Sequence, residues 1–118
     1  MQDKTDIGNV NISEEVIATI AGAAATECYG LVGMASTTLK DGIALLLGKD
    51  DLKKGVGVSL QNGELVLNLY IIVGYGVNIA EVARNVIERV KYSVEKQTGL
   101  VVKSVNVNVQ GVKVVNET

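Results

Sequence analysis

The sequence has 118 residues, the length of one ordinary domain, and its 47% hydrophobic content is enough to bury a core. A formal net charge of −2 argues against a general nucleic-acid binder, and the absence of histidine excludes histidine-dependent triads and histidine zinc ligands. The only cysteine, Cys28, excludes an intramolecular disulfide and is typical of a reducing cytoplasm.

The first part of the chain predicts a strand, a helix and a variable loop. Residues 7–12 favour a short strand, and Ser13 follows as the N-cap of a helix that Gly30 would close. Residues 31–54 combine a short apolar run with a charged segment, and we expect a loop there with one short element. The apolar stripe of the helix has 3.6-residue spacing and consists of Val16, Ile17, Ile20, Ala21, Ala24 and Cys28.

The second part of the chain predicts a hairpin, a long helix and a last strand. Asn62-Gly63 is the preferred pair for a type I′ turn. Asn78 is a suitable N-cap with Glu81 at the capping-box position, and Gly99 ends the helix. The buried stripe of that helix is predicted to contain Ile79, Val82, Ala83, Val86, Val90 and Val94. The last strand alternates Val105, Val107 and Val109 with small polar residues.

The element order β-α-β-β-α-β predicts one α+β domain over residues 1–118. We expect a two-layer sandwich, in which a mixed sheet of about four strands carries two amphipathic helices on one face. The other sheet face would then present an apolar strip of Val66, Tyr70 and Ile72. Because exposed apolar strips often mark interfaces, these residues form a candidate interaction surface. The alternative is that residues 31–54 cover them.

Two glycine motifs are compatible with ligand sites. Gly74-Tyr75-Gly76 links a predicted strand to a helix, but Ile79 stands where a dinucleotide fingerprint needs glycine or alanine. We therefore interpret it as a plain turn. The segment GLVG, from Gly30 to Gly33, has the spacing of a KH-domain clamp but holds no basic residue. A KH-like nucleic-acid-binding module is the alternative function. No motif indicates a catalytic, cofactor or metal site.

Three motifs together resemble the alkaline shock protein family of Gram-positive bacteria, also called envelope stress response proteins. They are G-x-V-x-I-S-x-E-V-I at 8–17, Y-G-x-N-I-x-E-V-A at 75–83 and T-G-L-x-V-x-x-V-N-V-x-V at 98–109. The resemblance extends from about Ile7 to Val112. It implies cytoplasmic proteins linked to cell-envelope and alkaline stress, without established catalytic residues, some of which gather at the membrane through a separate anchoring protein.

The function expected from these observations is a non-enzymatic cytoplasmic scaffold or adaptor. It would form a homo-oligomer and dock on a membrane-anchored protein, and would lie near the membrane only through that partner. No apolar run reaches the about 18 residues that a membrane span requires, and the N-terminus lacks the pattern of a secretory signal. We expect no cofactor, and the net charge disfavours nucleic acid as a partner.

Overall fold

The computed structural model describes residues 12–36 and 46–114. The strand expected at residues 7–12 lies outside this part of the chain, apart from Ile12, which belongs to no strand. The helices are α1 (Glu14–Thr26) and α2 (Ile79–Thr98), with a 3-10 helix at Lys49–Gly55. The strands are β1 (Leu31–Met34), β2 (Val56–Gln61), β3 (Glu64–Gly74) and β4 (Val102–Lys113).

Strand β3 is the centre of the sheet. Along one edge it pairs antiparallel with β2 through its first half and with β1 through its last residues. Along the other edge it pairs parallel with β4, from Leu65 opposite Val102 to Gly74 opposite Lys113. The predicted mixed sheet of about four strands and the parallel pairing of the last two strands are therefore confirmed, but β1 is a strand that the predicted element order did not contain.

The core lies between one face of this sheet and both helices, which confirms the predicted two-layer α+β fold. The inward residues of β3 are at most 1% exposed, and they are Leu65, Leu67, Leu69, Ile71 and Val73. They pack in one cluster with Ile17 and small residues of α1, and with the stripe Val82, Val86, Val90 and Val94 of α2. Ile79 was expected in this stripe but is 44% exposed, and the buried stripe begins at Val82, in the same turn of α2.

The predicted caps and the hairpin turn are confirmed. The Ser13 side chain accepts a hydrogen bond from the Val16 N–H at 3.2 Å, and Asn78 accepts one from the Glu81 N–H at 3.1 Å. Asn62 and Gly63 have φ of 53° and 83°, as a type I′ turn requires.

The end of α1 differs from the prediction. The helix stops at Thr26, because the Glu27 and Cys28 N–H groups donate to the Ala24 and Ala25 carbonyls in tighter 3-10 bonds. Cys28 therefore lies in the following turn, half-buried against the core, and not on the helix. Gly30, with φ of 90°, shapes the entry to β1 and does not close α1.

The prediction of a loop with one short element at residues 31–54 understates the regular structure, because each end of the segment contains a short element. Its first residues form β1, which is too short to show an alternating pattern, and its last residues form the 3-10 helix. That helix packs on α1 so closely that a Cβ on Gly22 would lie 3.2 Å from the Cβ of Leu52. The Lys53 ammonium also donates a hydrogen bond to the Glu15 carboxylate at 2.5 Å.

We predict that Gly30→Ala destabilises the protein by about 2 to 4 kcal/mol, the sum of left-handed strain and a core clash. A Cβ at this position would lie 2.6 Å from Cγ2 of the buried Val82. The matched control is Gly48→Ala, where a Cβ meets nothing within 4 Å and φ is −76°. Urea unfolding followed by circular dichroism measures both variants, and equal midpoints would contradict the prediction.

The Glu15–Lys53 pair makes a pH-dependent contribution to stability. The hydrogen bond and the charge of Lys53 lower the pKa of Glu15 below its ordinary 4.5, so its contribution is lost as the pH falls through the folded pKa. The same bond and the charge of Glu15 raise the pKa of Lys53 above 10.5, so that contribution is lost as the pH rises through the folded value. The pair therefore stabilises the folded state at pH values between the folded pKa of Glu15 and the folded pKa of Lys53.

We predict that Glu15→Gln lowers the urea midpoint slightly at neutral pH, since the pair is on the surface. The difference from the wild type should vanish in acid below the pKa of Glu15. Glu14→Gln serves as the control, because Glu14 has no ion-pair partner among the described residues. A difference that stays constant from acid to neutral pH would show that the ion pair does not contribute.

Candidate functional site

The predicted surface of Val66, Tyr70 and Ile72 lies on the sheet face opposite the core. Val66 and Ile72 are only 7% and 6% exposed, whereas Tyr70 is half-buried. Polar side chains run beside them, since the Asn106 side-chain amide donates to the Asn68 side chain at 3.0 Å. The strip is therefore less open than the sequence suggested, and its role as an interface stays a prediction centred on Tyr70.

The end of the predicted loop approaches this face. Leu46 bridges to Ala35, and its Cδ1 lies 2.7 Å from the position that a Cβ on Gly33 would take. Gly33 is the register partner of Ile72. The alternative that residues 31–54 cover the second face thus holds locally, beside Ile72.

Neither glycine motif forms the ligand loop that its spacing suggested. Leu31 to Gly33 belong to β1 and pair with β3, so the GLVG segment is not a loop between two helices and the KH-like alternative is wrong. The Gly74 N–H donates to the Gly30 carbonyl at 2.9 Å, and the Tyr75 N–H donates to the Lys113 carbonyl at 2.9 Å. These bonds join the two turns to each other and to the end of β4.

Three of the four tyrosines, which are the only aromatic residues of the chain, are exposed at or near these turns. Tyr29, Tyr75 and Tyr92 are 87%, 75% and 60% exposed. They line two open depressions of about 430 and 330 Å³, which are neighbours because both are lined by Tyr29 and Asn85, and which we treat as one surface feature. We call it the tyrosine groove.

The fold builds the walls of the tyrosine groove from two turns and one helix. One wall is the face of α2 that carries Glu81, Asn85, Glu88 and Tyr92, residues at helical spacing. The opposite wall is the turn that follows α1 and contains Tyr29. The turn at Gly76 closes one end, because Leu31 pairs with Val73 and brings the two turns together.

The lining of the tyrosine groove has more negative than positive side chains. The Arg89 guanidinium lies 3.0 Å from the Glu27 carboxylate and links the two walls. Glu81 and Glu88 have no ion-pair partner within the described residues, so the lining carries an excess of negative charge. Burial raises the pKa of the Cys28 thiol above 9.0, which disfavours the thiolate that a nucleophile would need.

The sequence did not predict the tyrosine groove, because Tyr70 was the only one of the four tyrosines assigned to a candidate surface. A signal was present, because Tyr92 lies outside the buried stripe of α2 and Tyr75 stands between two turn glycines. Their proximity to Tyr29 depends on tertiary pairing, which no local pattern contains.

The described residues offer neither a metal centre nor a membrane-spanning helix. Among residues 12–36 and 46–114, no group of three potential metal-ligating side chains is close enough to hold an ion. No helix within the same residues is both long and apolar enough to cross a membrane.

Comparison with known proteins identifies related chains. A model of the alkaline shock protein 23 family, described by a cell envelope-related function, matches residues 2–114. The chain is 49% identical to the uncharacterized protein YloU of Bacillus subtilis over 114 residues, which cover 96% of this chain and 95% of that protein. It is 45% identical to an uncharacterized protein of Streptococcus pyogenes serotype M6, covering 96% and 94% of the two chains.

A solved structure shares the fold. The copper form of MamM CTD superposes with a TM-score of 0.51 and 13% identity, covering 88% of this chain and 91% of that one. At this identity the likeness concerns the α+β architecture alone.

Proposed function

This chain belongs to the alkaline shock protein family, whose function is cell envelope-related, and we propose that it is a non-enzymatic cytoplasmic scaffold or adaptor. In this role it self-associates and docks on a membrane-anchored partner. The observation that carries the proposal is the tyrosine groove, where three of the four aromatic side chains are exposed on one side of the molecule.

The composition of the tyrosine groove supports protein binding over catalysis. Tyrosine is enriched at protein interfaces and among the residues that dominate binding energy, because its ring is large, rigid and amphipathic. The lining offers no histidine, and the Cys28 thiol has a raised pKa. A surface with exposed rings and no activated nucleophile is suited to hold a partner and not to transform a substrate.

A second surface supports self-association. Among the described strands β4 pairs with β3 alone, so no described strand occupies its other edge over its 12 residues. An unpaired edge is a template for a strand from a second copy. Tyr70 lies beside this strand, in register with Asn108, whose side-chain amide donates to the Leu69 carbonyl. We propose that Val66, Tyr70 and Ile72 belong to this surface.

We predict that Tyr29→Ala with Tyr92→Ala weakens capture of the membrane-anchored partner by about tenfold or more, as expected for aromatic hot spots. The tagged chain is crosslinked in a Gram-positive host, and an integral membrane protein is then identified from the membrane fraction with and without nuclease. Leu60→Ala is the matched control, because Leu60 is 64% exposed on the distant hairpin. Ribonucleoproteins that disappear with nuclease, or capture that the tyrosine variant retains, would contradict the proposal.

We predict that Tyr70→Lys lowers the oligomer fraction of the purified protein, because it places a charge on the sheet face next to β4, within the surface proposed for self-association. Sedimentation velocity measures the oligomer fraction, and circular dichroism verifies that the variant is folded. Tyr75→Lys is the control, since it puts the same charge on the tyrosine groove. A folded Tyr70→Lys variant with unchanged association would remove this surface from the proposal.

A further inference from the structure

We infer that the tyrosine groove binds a lysine- or arginine-rich segment of the partner, the cytoplasmic flank of its membrane-spanning helix. This inference rests on the proposed function and adds the chemistry of the docking segment. Three features of the groove support it: the excess negative charge, the exposed tyrosine rings and the length of the α2 wall.

The unpaired charge of the groove selects a cationic segment. Glu81 and Glu88 lie on the same face of α2 and are free of ion-pair partners in the described part of the chain, whereas Arg89 is already paired with Glu27. A basic segment in the groove would therefore meet two available carboxylates and no free opposing cation of the lining. Anionic lipid headgroups would meet the same carboxylates as a repulsive surface.

The tyrosine rings favour the same kind of ligand. A cation over the face of an aromatic ring is attracted by the ring quadrupole. The Tyr92 ring already has a cation nearby, because the Lys96 ammonium donates to its hydroxyl at 3.2 Å and lies 5.4 Å from the ring centroid. Tyr29 and Tyr75 are still more exposed and are available to an incoming lysine or arginine.

The dimensions fit a short extended peptide. The wall from Glu81 to Tyr92 extends over about three turns of helix, roughly 17 Å. An extended chain advances about 3.3 Å per residue, so about five residues cover this distance. Cytoplasmic flanks of membrane spans are enriched in lysine and arginine, which makes this segment of a membrane-anchored protein complementary to the groove.

A second copy of this chain offers a poorer cationic segment. Within the described residues the only two adjacent basic side chains are in the 3-10 helix, where Lys53 pairs with Glu15 and Lys54 lies 3.4 Å from Asp51. These pairs would have to break before either lysine entered another molecule's groove. A partner with free lysines or arginines has no such cost.

The test measures fluorescence anisotropy of a short labelled peptide of alternating lysine and alanine, with the intact protein. We expect binding that weakens at high salt and that falls about tenfold in the variant Glu81→Gln with Glu88→Gln. Both substitutions keep the side-chain shape, and the Asn78 cap uses only the backbone N–H of Glu81. The matched control removes the same charge elsewhere through Glu14→Gln with Glu64→Gln and should bind as the wild type does.

Three results would overturn the inference. They are equal binding of a peptide with glutamine in place of lysine, equal weakening in the control variant, and recovery of the membrane partner undiminished by Glu81→Gln with Glu88→Gln. The last result leaves the proposed function intact and rejects only the claim that the charges of Glu81 and Glu88 bind the partner. Specific peptide binding together with no membrane protein recovered by the wild type would instead reject the proposed function and keep the groove chemistry.

Discussion

The rest of the structure depends on the pairing of β3 along both of its edges. Because β4 occupies one edge while β1 and β2 divide the other, every described strand is positioned by this one strand. Its inward side chains are almost fully buried, so the apolar faces of α1 and α2 have one surface against which to pack. The hydrophobic burial of β3 therefore determines the position of both helices.

The tyrosine groove forms where the turn after α1 meets the turn before α2. Strand β1 pairs with the last residues of β3, which places the turn after α1 against the turn before α2. Gly30 permits the approach, since its missing Cβ leaves room for Val82. The same contact that completes the core thus creates a surface depression beside it, with Tyr29 and Tyr75 on hydrogen-bonded turns and Tyr92 on α2.

The two proposed surfaces lie on opposite sides of the sheet and have different chemistry. The groove is anionic and aromatic, as a docking site for a basic segment requires, whereas the face around Tyr70 carries apolar and amide side chains next to β4. This separation would allow the protein to assemble with copies of itself while a partner occupies the groove. Such a division is what a scaffold needs, because one function does not block the other.

Much of the fold was predictable because its signals are local. The caps Ser13 and Asn78, the Asn62-Gly63 turn and the alternation of β3 each depend on a few neighbouring residues, and each was confirmed. Strand β1 was not predicted, because a strand of four residues is too short to show an alternating pattern. The KH-like alternative was wrong for the same reason, since it treated these residues as a loop.

The sequence by itself determined the two helices, the hairpin and the layer that each apolar face would occupy, since spacing and turn chemistry are local properties. Only the tertiary structure decided which surfaces stay open. Tyr29, Tyr75 and Tyr92 are distant along the chain and meet only when β1 pairs with β3. Exposure and proximity arise from long-range packing, and for that reason the groove, unlike the helices that form it, could not be predicted from the sequence.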